Sequence, residues 1–141
     1  MNKPAGPAGL FDHGAPMLLV DSITEAAVAA AGSVVVSGSH AGISVVRYIS
    51  QARPRLAVLN DAGGGKDGAG IAALPLLQAL GIAACTVSHH SARIGDARST
   101  LDEGVVSHVN EAAAALGGRP GLRVCDWLFM PAGSGSSPAR R

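Results

Sequence analysis

Five short aliphatic runs, separated by stretches with helical spacing, constrain this chain more than any other feature. They are Met17–Val20, Ser33–Val36, Leu56–Leu59, Ile82–Val87 and Leu122–Phe129. A strand with one wet face alternates apolar and polar residues. A strand that is apolar at nearly every position is covered on both faces, as in a parallel sheet. Gly or Pro residues bound these runs, and Val and Ile are frequent in them, so they read as buried strands.

The segments between the runs carry helix signals. His40–Ala52 places Ile43, Val46, Tyr48 and Ile49 at roughly helical spacing, and Pro54 closes it. Ala69–Leu80 repeats Ile71, Leu74, Leu77 and Leu80, with Gly81 as its stop. Pro75 inside that stretch demands either a kink or a late start. The strongest signal comes last. Ser99 and Thr100 stand three residues before Asp102 and Glu103, in the manner of a capping box. Leu101, Val105, Val109, Ala112 and Leu116 then form one stripe that ends at Gly117–Gly118. Ser22 to Glu25 has the same cap spacing, opening a short helix to Ala31 or an extended edge.

Strand and helix in alternation imply right-handed crossovers and helices on both faces. The expected fold is therefore a single α/β domain over residues 17–130, of flavodoxin-like or Rossmann-like three-layer type. Its sheet is five-stranded and mainly parallel. Residues 1–16, rich in Pro, Gly and Ala, read as an irregular arm, and residues 131–141 as a flexible tail. No repeat at a solenoid period is evident.

Composition narrows the function classes. Hydrophobic residues make up 48% of the 141 positions, enough for one sizeable core. With one Trp, one Tyr and two Phe in the whole chain, stacking platforms for bases are scarce. A net charge of +1 gives no cationic face for a phosphate backbone, so a nucleic-acid partner is not expected. Arg140 and Arg141 form the one basic cluster, at the very end. The longest apolar stretches fall well short of the about 20 residues a membrane span needs. No basic segment followed by an apolar signal core opens the chain, and a cytoplasmic location is expected. Cys85 and Cys125 each lie in an apolar strand-like run, which suits buried, reduced thiols and no disulfide or zinc framework.

In open parallel sheets, ligands bind outside the carboxyl ends of the strands. The second strand exits into Ser37-Gly38-Ser39-His40-Ala41-Gly42. The third exits into Asn60-Asp61-Ala62-Gly63-Gly64-Gly65-Lys66-Asp67-Gly68. The fourth exits into Ser88-His89-His90-Ser91-Ala92-Arg93-Ile94-Gly95-Asp96. These loops concentrate imidazole, carboxylate, cation and hydroxyl in an otherwise aliphatic chain, whereas Gln51–Arg55 and Gly117–Gly121 at the other edge are plain connectors.

Each loop approaches a known motif and departs from it. Gly63-Gly64-Gly65-Lys66 approaches a P-loop, but Asn60 stands where that motif has its first Gly, and Asp67 where it has Ser or Thr. Gly63, Gly65 and Gly68 spell G-x-G-x-x-G after a strand, yet no acid for a ribose follows Val87-Ser88-His89. A turn needing positive φ explains the same glycines. Gly38-Ser39-His40-Ala41-Gly42 has the glycines of a nucleophile elbow with His in place of its Ser. It can instead present backbone N–H groups to an anion, aided by Ser37, Ser39 and Ser44, or simply cap a helix.

His89 and His90 are adjacent, so they point to opposite faces and do not readily share one ion. A divalent metal on one of them with His40 and Asp61 or Asp96 is geometrically allowed, but no spacing rule compels it, and no cofactor is expected. Imidazole titrates near neutrality, which suits proton transfer. Lys66 and Arg93 can meet an anionic ligand, or pair internally with Asp67 or Asp61 and with Asp96. His13 and His108 read as solvated or structural.

The favoured expectation is an enzyme that acts on a small anionic metabolite by hydrolytic or lyase-type acid–base chemistry. Its catalytic candidates are His40 or His89 for the proton, Asp61 to orient or activate, and Lys66 for developing negative charge. Its binding candidates are Ser37, Ser39, Gly42, Asn60, Gly64, Gly65, Ser91 and Arg93. Two alternatives stand beside it. One is a non-catalytic module that grips a nucleotide or sugar phosphate. The other is a structural subunit whose exposed apolar helices assemble into a homo-oligomer.

Overall fold

The computed structural model describes residues 16–26 and 31–129. The expected arm and tail lie outside the described residues, apart from Pro16, as does the stretch through which a helix to Ala31 would run.

Five strands form one sheet in sequential order: β1 Met17–Val20, β2 Val34–His40, β3 Leu56–Asn60, β4 Ala84–Val87 and β5 Val106–Val109. The first four run parallel, and β5 lies antiparallel to β4. Right-handed crossovers between neighbours taken in sequence put every crossover on the same face. That face carries a 3-10 turn at Ile23–Glu25, helix α1 Val46–Ala52 and helix α2 Ala73–Ala79. Their Ile23, Ile49 and Leu77 bury against Val35, Ala57 and Leu59. The neighbouring strand residues Val34, Val36, Leu56 and Val58 point the other way. They meet α3 Ala97–Glu103, α4 Glu111–Ala115 and α5 Val124–Phe129 through Leu101, Ala113, Val124 and Leu128. The strands are apolar on both sides because both sides are covered. Burying a side chain such as Ile49 or Leu77 completely is worth about 1.5–3 kcal/mol, and these two fix the helices behind the exit loops.

Several elements follow local rules. Ser22 and Glu25 form a reciprocal capping box, but on a single 3-10 turn, because Ala26 is already extended. Helix α2 begins late, at Ala73. Pro75 then falls in the first turn, where its missing N–H costs nothing. Gly81, at φ +76°, ends the helix with Ile82 N donating to Leu77 O and Gly81 N to Gln78 O, a Schellman closure. The expected helix from His40 starts instead at Ile43, with a 3-10 turn leading into α1, because β2 continues through His40.

Two expectations at the end of the chain are overturned. The stripe from Leu101 to Leu116 is not one helix. It breaks at Gly104, which is extended and whose Cα faces Thr100 O and the Val87 side chain too closely for any Cβ. The Val-rich stretch after it becomes β5 and pairs with β4, which would otherwise present unpaired backbone at the sheet edge. Tertiary pairing outweighs the helical period here. The run Leu122–Phe129 is not a strand. Val124, Trp127 and Leu128 are buried at i, i+3 and i+4 of helix α5, and Trp127 Nε1 donates to Leu116 O at 3.1 Å.

Cys125 therefore sits on a helix and is half-buried, whereas Cys85 lies in the sheet fully buried; both are free thiols. Burial pushes the Cys85 thiol up to about 12. A thiol reagent at neutral pH is expected to label one cysteine per chain under native conditions and the second only on unfolding. Rapid labelling of both in the native protein would contradict this placement.

Candidate functional site

β2, β3 and β4 are parallel, so Ser39, Asp61 and His89 emerge at the same edge of the sheet. Residues 88–97 do more than leave that edge. They run back across it as a strap. Asn60 Nδ2 donates to Ala92 O at 3.1 Å, Gly95 N donates to Gly38 O at 2.7 Å, and Ala97 N donates to Asp21 Oδ1 at 2.9 Å. Gly38 has to be glycine, since a Cβ there would lie 2.2 Å from Asp96 N.

Beneath the strap, Asp61 is 6% exposed at the end of β3. Its Oδ1 accepts from Gly63 N at 2.8 Å and from His89 N at 3.1 Å, and lies 3.4 Å from His89 Nδ1. Burial alone would raise its pKa. The Gly63 amide, the nearby Ser107 hydroxyl, the His89 amide and the His89 ring outweigh burial, and the carboxyl is held below its ordinary 3.8. The Ser107 Oγ is itself engaged with Thr86 Oγ1 at 2.8 Å. The His89 side chain is 43% exposed and the Asp61 side chain 9%, so solvent and ligand reach the ring far more readily than the carboxylate beside it.

A carboxylate whose folded pKa is depressed contributes stability that is complete above the unfolded value and is lost as pH falls through the folded one. The Asp61→Asn variant should therefore show a flatter loss of stability below about pH 4 than the parent chain. Identical acid limbs in urea or thermal unfolding would contradict the depressed value.

The glycine-rich loop wraps the other side of Asp61. Gly63, Gly64, Gly65 and Gly68 all have positive φ, and so do two residues with side chains, Ala62 at +53° and Asp67 at +56°. Such backbone is costly without glycine, and strain of this kind gathers at functional sites. The loop's first amides are already used. Ala62 N donates to Asn60 Oδ1, Gly63 N to Asp61 Oδ1, and Gly64 N to Asp61 O. Gly70 packs so tightly on Asp61 O that a Cβ would come within 2.3 Å of it.

Between this loop and the exit of β2 lies a cleft of about 420 Å³, walled by His40, Ile43, Ala62, Gly65, Ala69 and Ala72 among others. His40 Nδ1 accepts from Gly42 N at 2.9 Å. Ala62 faces the cleft, while a Cβ on the next residue, Gly63, would touch the His89 ring at 3.4 Å. One turn of backbone thus separates the cleft from the Asp61–His89 pair.

The other candidates sort by what already occupies them. Ser37 Oγ accepts from Ser39 N, and Ser39 Oγ from Ile23 N. Asn60 is fully buried between Ala62 N and Ala92 O. Ser91 Oγ donates to Ser88 O and accepts from Val105 N. These four fasten the loops. Gly42 gives its amide to His40, and Gly64 and Gly65 shape the turn. Arg93 is exposed, 3.8 Å from Asp96. Lys66 is exposed and makes no ion pair among the described residues.

Sequence reasoning did not single out Ser107 beside Asp61, nor the alanines of the cleft, because Ala carries no chemical signature. Among the described residues no group of three or more His, Cys, Asp or Glu is placed to hold a metal ion, and no helix is long and apolar enough to cross a membrane. Comparison with family models, curated proteins and solved structures finds no match to this chain.

Proposed function

We propose that this chain is a cytoplasmic enzyme that acts on a small anionic metabolite by hydrolytic or lyase-type acid–base chemistry, with His89 and Asp61 as its proton-moving pair. One observation carries the reading. A buried carboxylate, kept ionised by backbone amides, lies 3.4 Å from the Nδ1 of a half-exposed imidazole. That contact is long for a hydrogen bond, and such contacts commonly tighten when substrate binds. With its Nδ1 proton directed at Asp61, the ring offers the Nε2 lone pair to a substrate proton. Asp61 then stabilises the imidazolium, and the proton returns to the leaving group. Lys66 and Arg93 are the cations of the edge that can meet negative charge on the substrate. The chemistry asks for no cofactor.

A screen of small anionic metabolites by thermal shift, followed by turnover assays over a pH series, tests it. A ligand at 100 times its Kd should stabilise the fold by about 2.7 kcal/mol. The proposal expects at least one such ligand to be consumed. The runner-up, a non-catalytic binding module for a nucleotide or sugar phosphate, draws on the cleft being walled by His40 and not by Asp61 or His89. Tight binding without conversion at any pH would decide for it.

A further inference from the structure

We infer that the cleft beside His40 takes a short-chain aliphatic monocarboxylate; the inference rests on the reading above only in taking that ligand to be the substrate. A volume of about 420 Å³ is near the low end of the roughly 300–1,000 Å³ usual for small-molecule sites. Ile43, Ala62, Ala69 and Ala72 line it with methyl groups. None of the described residues lining it is Phe, Tyr or Trp, so the His40 imidazole is the one ring of its wall and a nucleobase finds no second ring to be held between. Small branched or short straight alkyl groups match such walls in size and polarity.

Two donors stand at the cleft wall, beside the Ser44 hydroxyl, which can donate or accept. Because Gly42 N donates to His40 Nδ1, a neutral His40 carries its proton on Nε2 and can donate it. The Gly65 amide at the wall donates to no described residue. The next residue, Lys66, is exposed and without an ion pair among the described residues. A ligand that satisfies these groups brings acceptor oxygens and negative charge. Asp67 follows Lys66 directly and is also exposed, so the local charge balances to zero. That favours a monoanion over a doubly charged phosphate. The head group would then lie at Gly65 and His40, one turn of backbone from the Asp61–His89 pair, with its alkyl group against the alanines.

The test is an amide-detected NMR titration of the full chain with isovalerate, and in parallel with inorganic phosphate. Isovalerate is expected to shift the amides of Gly42, Gly65 and Ala69 in a saturable way, and phosphate is not. Ala72→Leu adds three carbons to the cleft wall where the alkyl group would lie and should weaken isovalerate by about 10–200-fold, the range a single methylene commands in an apolar pocket. Ile43 is exposed at the rim, so Ile43→Ala spares the core, opens the cleft and should move preference toward a longer acid such as heptanoate. Three results would overturn the inference: no saturable shift at these amides with isovalerate, unchanged affinity in folded Ala72→Leu, or phosphate binding where isovalerate does not. Isovalerate binding with no turnover of any acid supports the ligand class and counts against the catalytic reading alone.

Discussion

Replacing His89 by glutamine is expected to lower kcat by about 10²–10⁴-fold, or some 2.7–5.5 kcal/mol of barrier, while the protein stays folded. The ring can be removed without collapse because it is partly exposed and packs on Gly63 and the His90 ring, not in either core. The backbone N–H of residue 89 remains to hold Asp61, so the carboxylate keeps its position. Glutamine keeps polarity and reach but cannot take and return a proton. The kinetic loss should therefore appear with near-parental circular dichroism and Tm. Retained turnover would remove His89 as the proton carrier, and a collapse in Tm of matching size would assign it a structural role.

Asn110→Ala is expected to cost the most in stability, roughly 3–5 kcal/mol by urea unfolding, since several buried backbone groups lose their partner at once. Asn110 is 7% exposed and uses its whole side-chain amide. Its Oδ1 accepts from Ala84 N at 3.1 Å and from Ala113 N at 3.0 Å. Its Nδ2 donates to Ile82 O at 2.9 Å and to Leu74 O at 3.3 Å. One residue thus ties the start of β4 to α2 and also caps α4. A loss below about 1 kcal/mol, the ordinary value of a single net hydrogen bond, would contradict this role.

The parallel sheet was legible because double-sided burial leaves an all-apolar signature, and β1, β3 and β4 lie within or next to the runs that carried it. The sheet's antiparallel partner was not. Val105 to Val109 satisfies a helical stripe and a β-rich composition equally well, and only β4's need for a partner decides between them. Leu122–Phe129 shows the same ambiguity reversed, since a short apolar run does not declare its period. Sequential strand order was also beyond reach, because loop lengths do not state which neighbour a strand chooses.

At the site, the edge shared by the three polar segments could be read from strand direction alone, although Ser37–His40 belongs to β2 itself and not to its exit loop. What could not be read was the division of labour within them. Ser37, Ser39, Asn60 and Ser91 looked as free to bind as Lys66, yet their partners are backbone groups distant in sequence or hidden by the turn. The strap explains half of this. By crossing from β4 to β1 it engages Asn60 and Ser91, while Ser39 N and Ile23 N take up the Ser37 and Ser39 hydroxyls, and the His89 ring, the glycine loop and the cleft are left for a ligand.

The proton-moving pair is tested most directly by turnover of a substrate from the anion screen in Asp61→Asn, His89→Gln and the double variant, with folding checked in each. If the carboxylate works only through the imidazole, adding Asp61→Asn to His89→Gln should cost almost nothing further, since groups that act as a unit are strongly non-additive. Losses that multiply in the double variant, or a His89→Gln enzyme as fast as its parent, would contradict it.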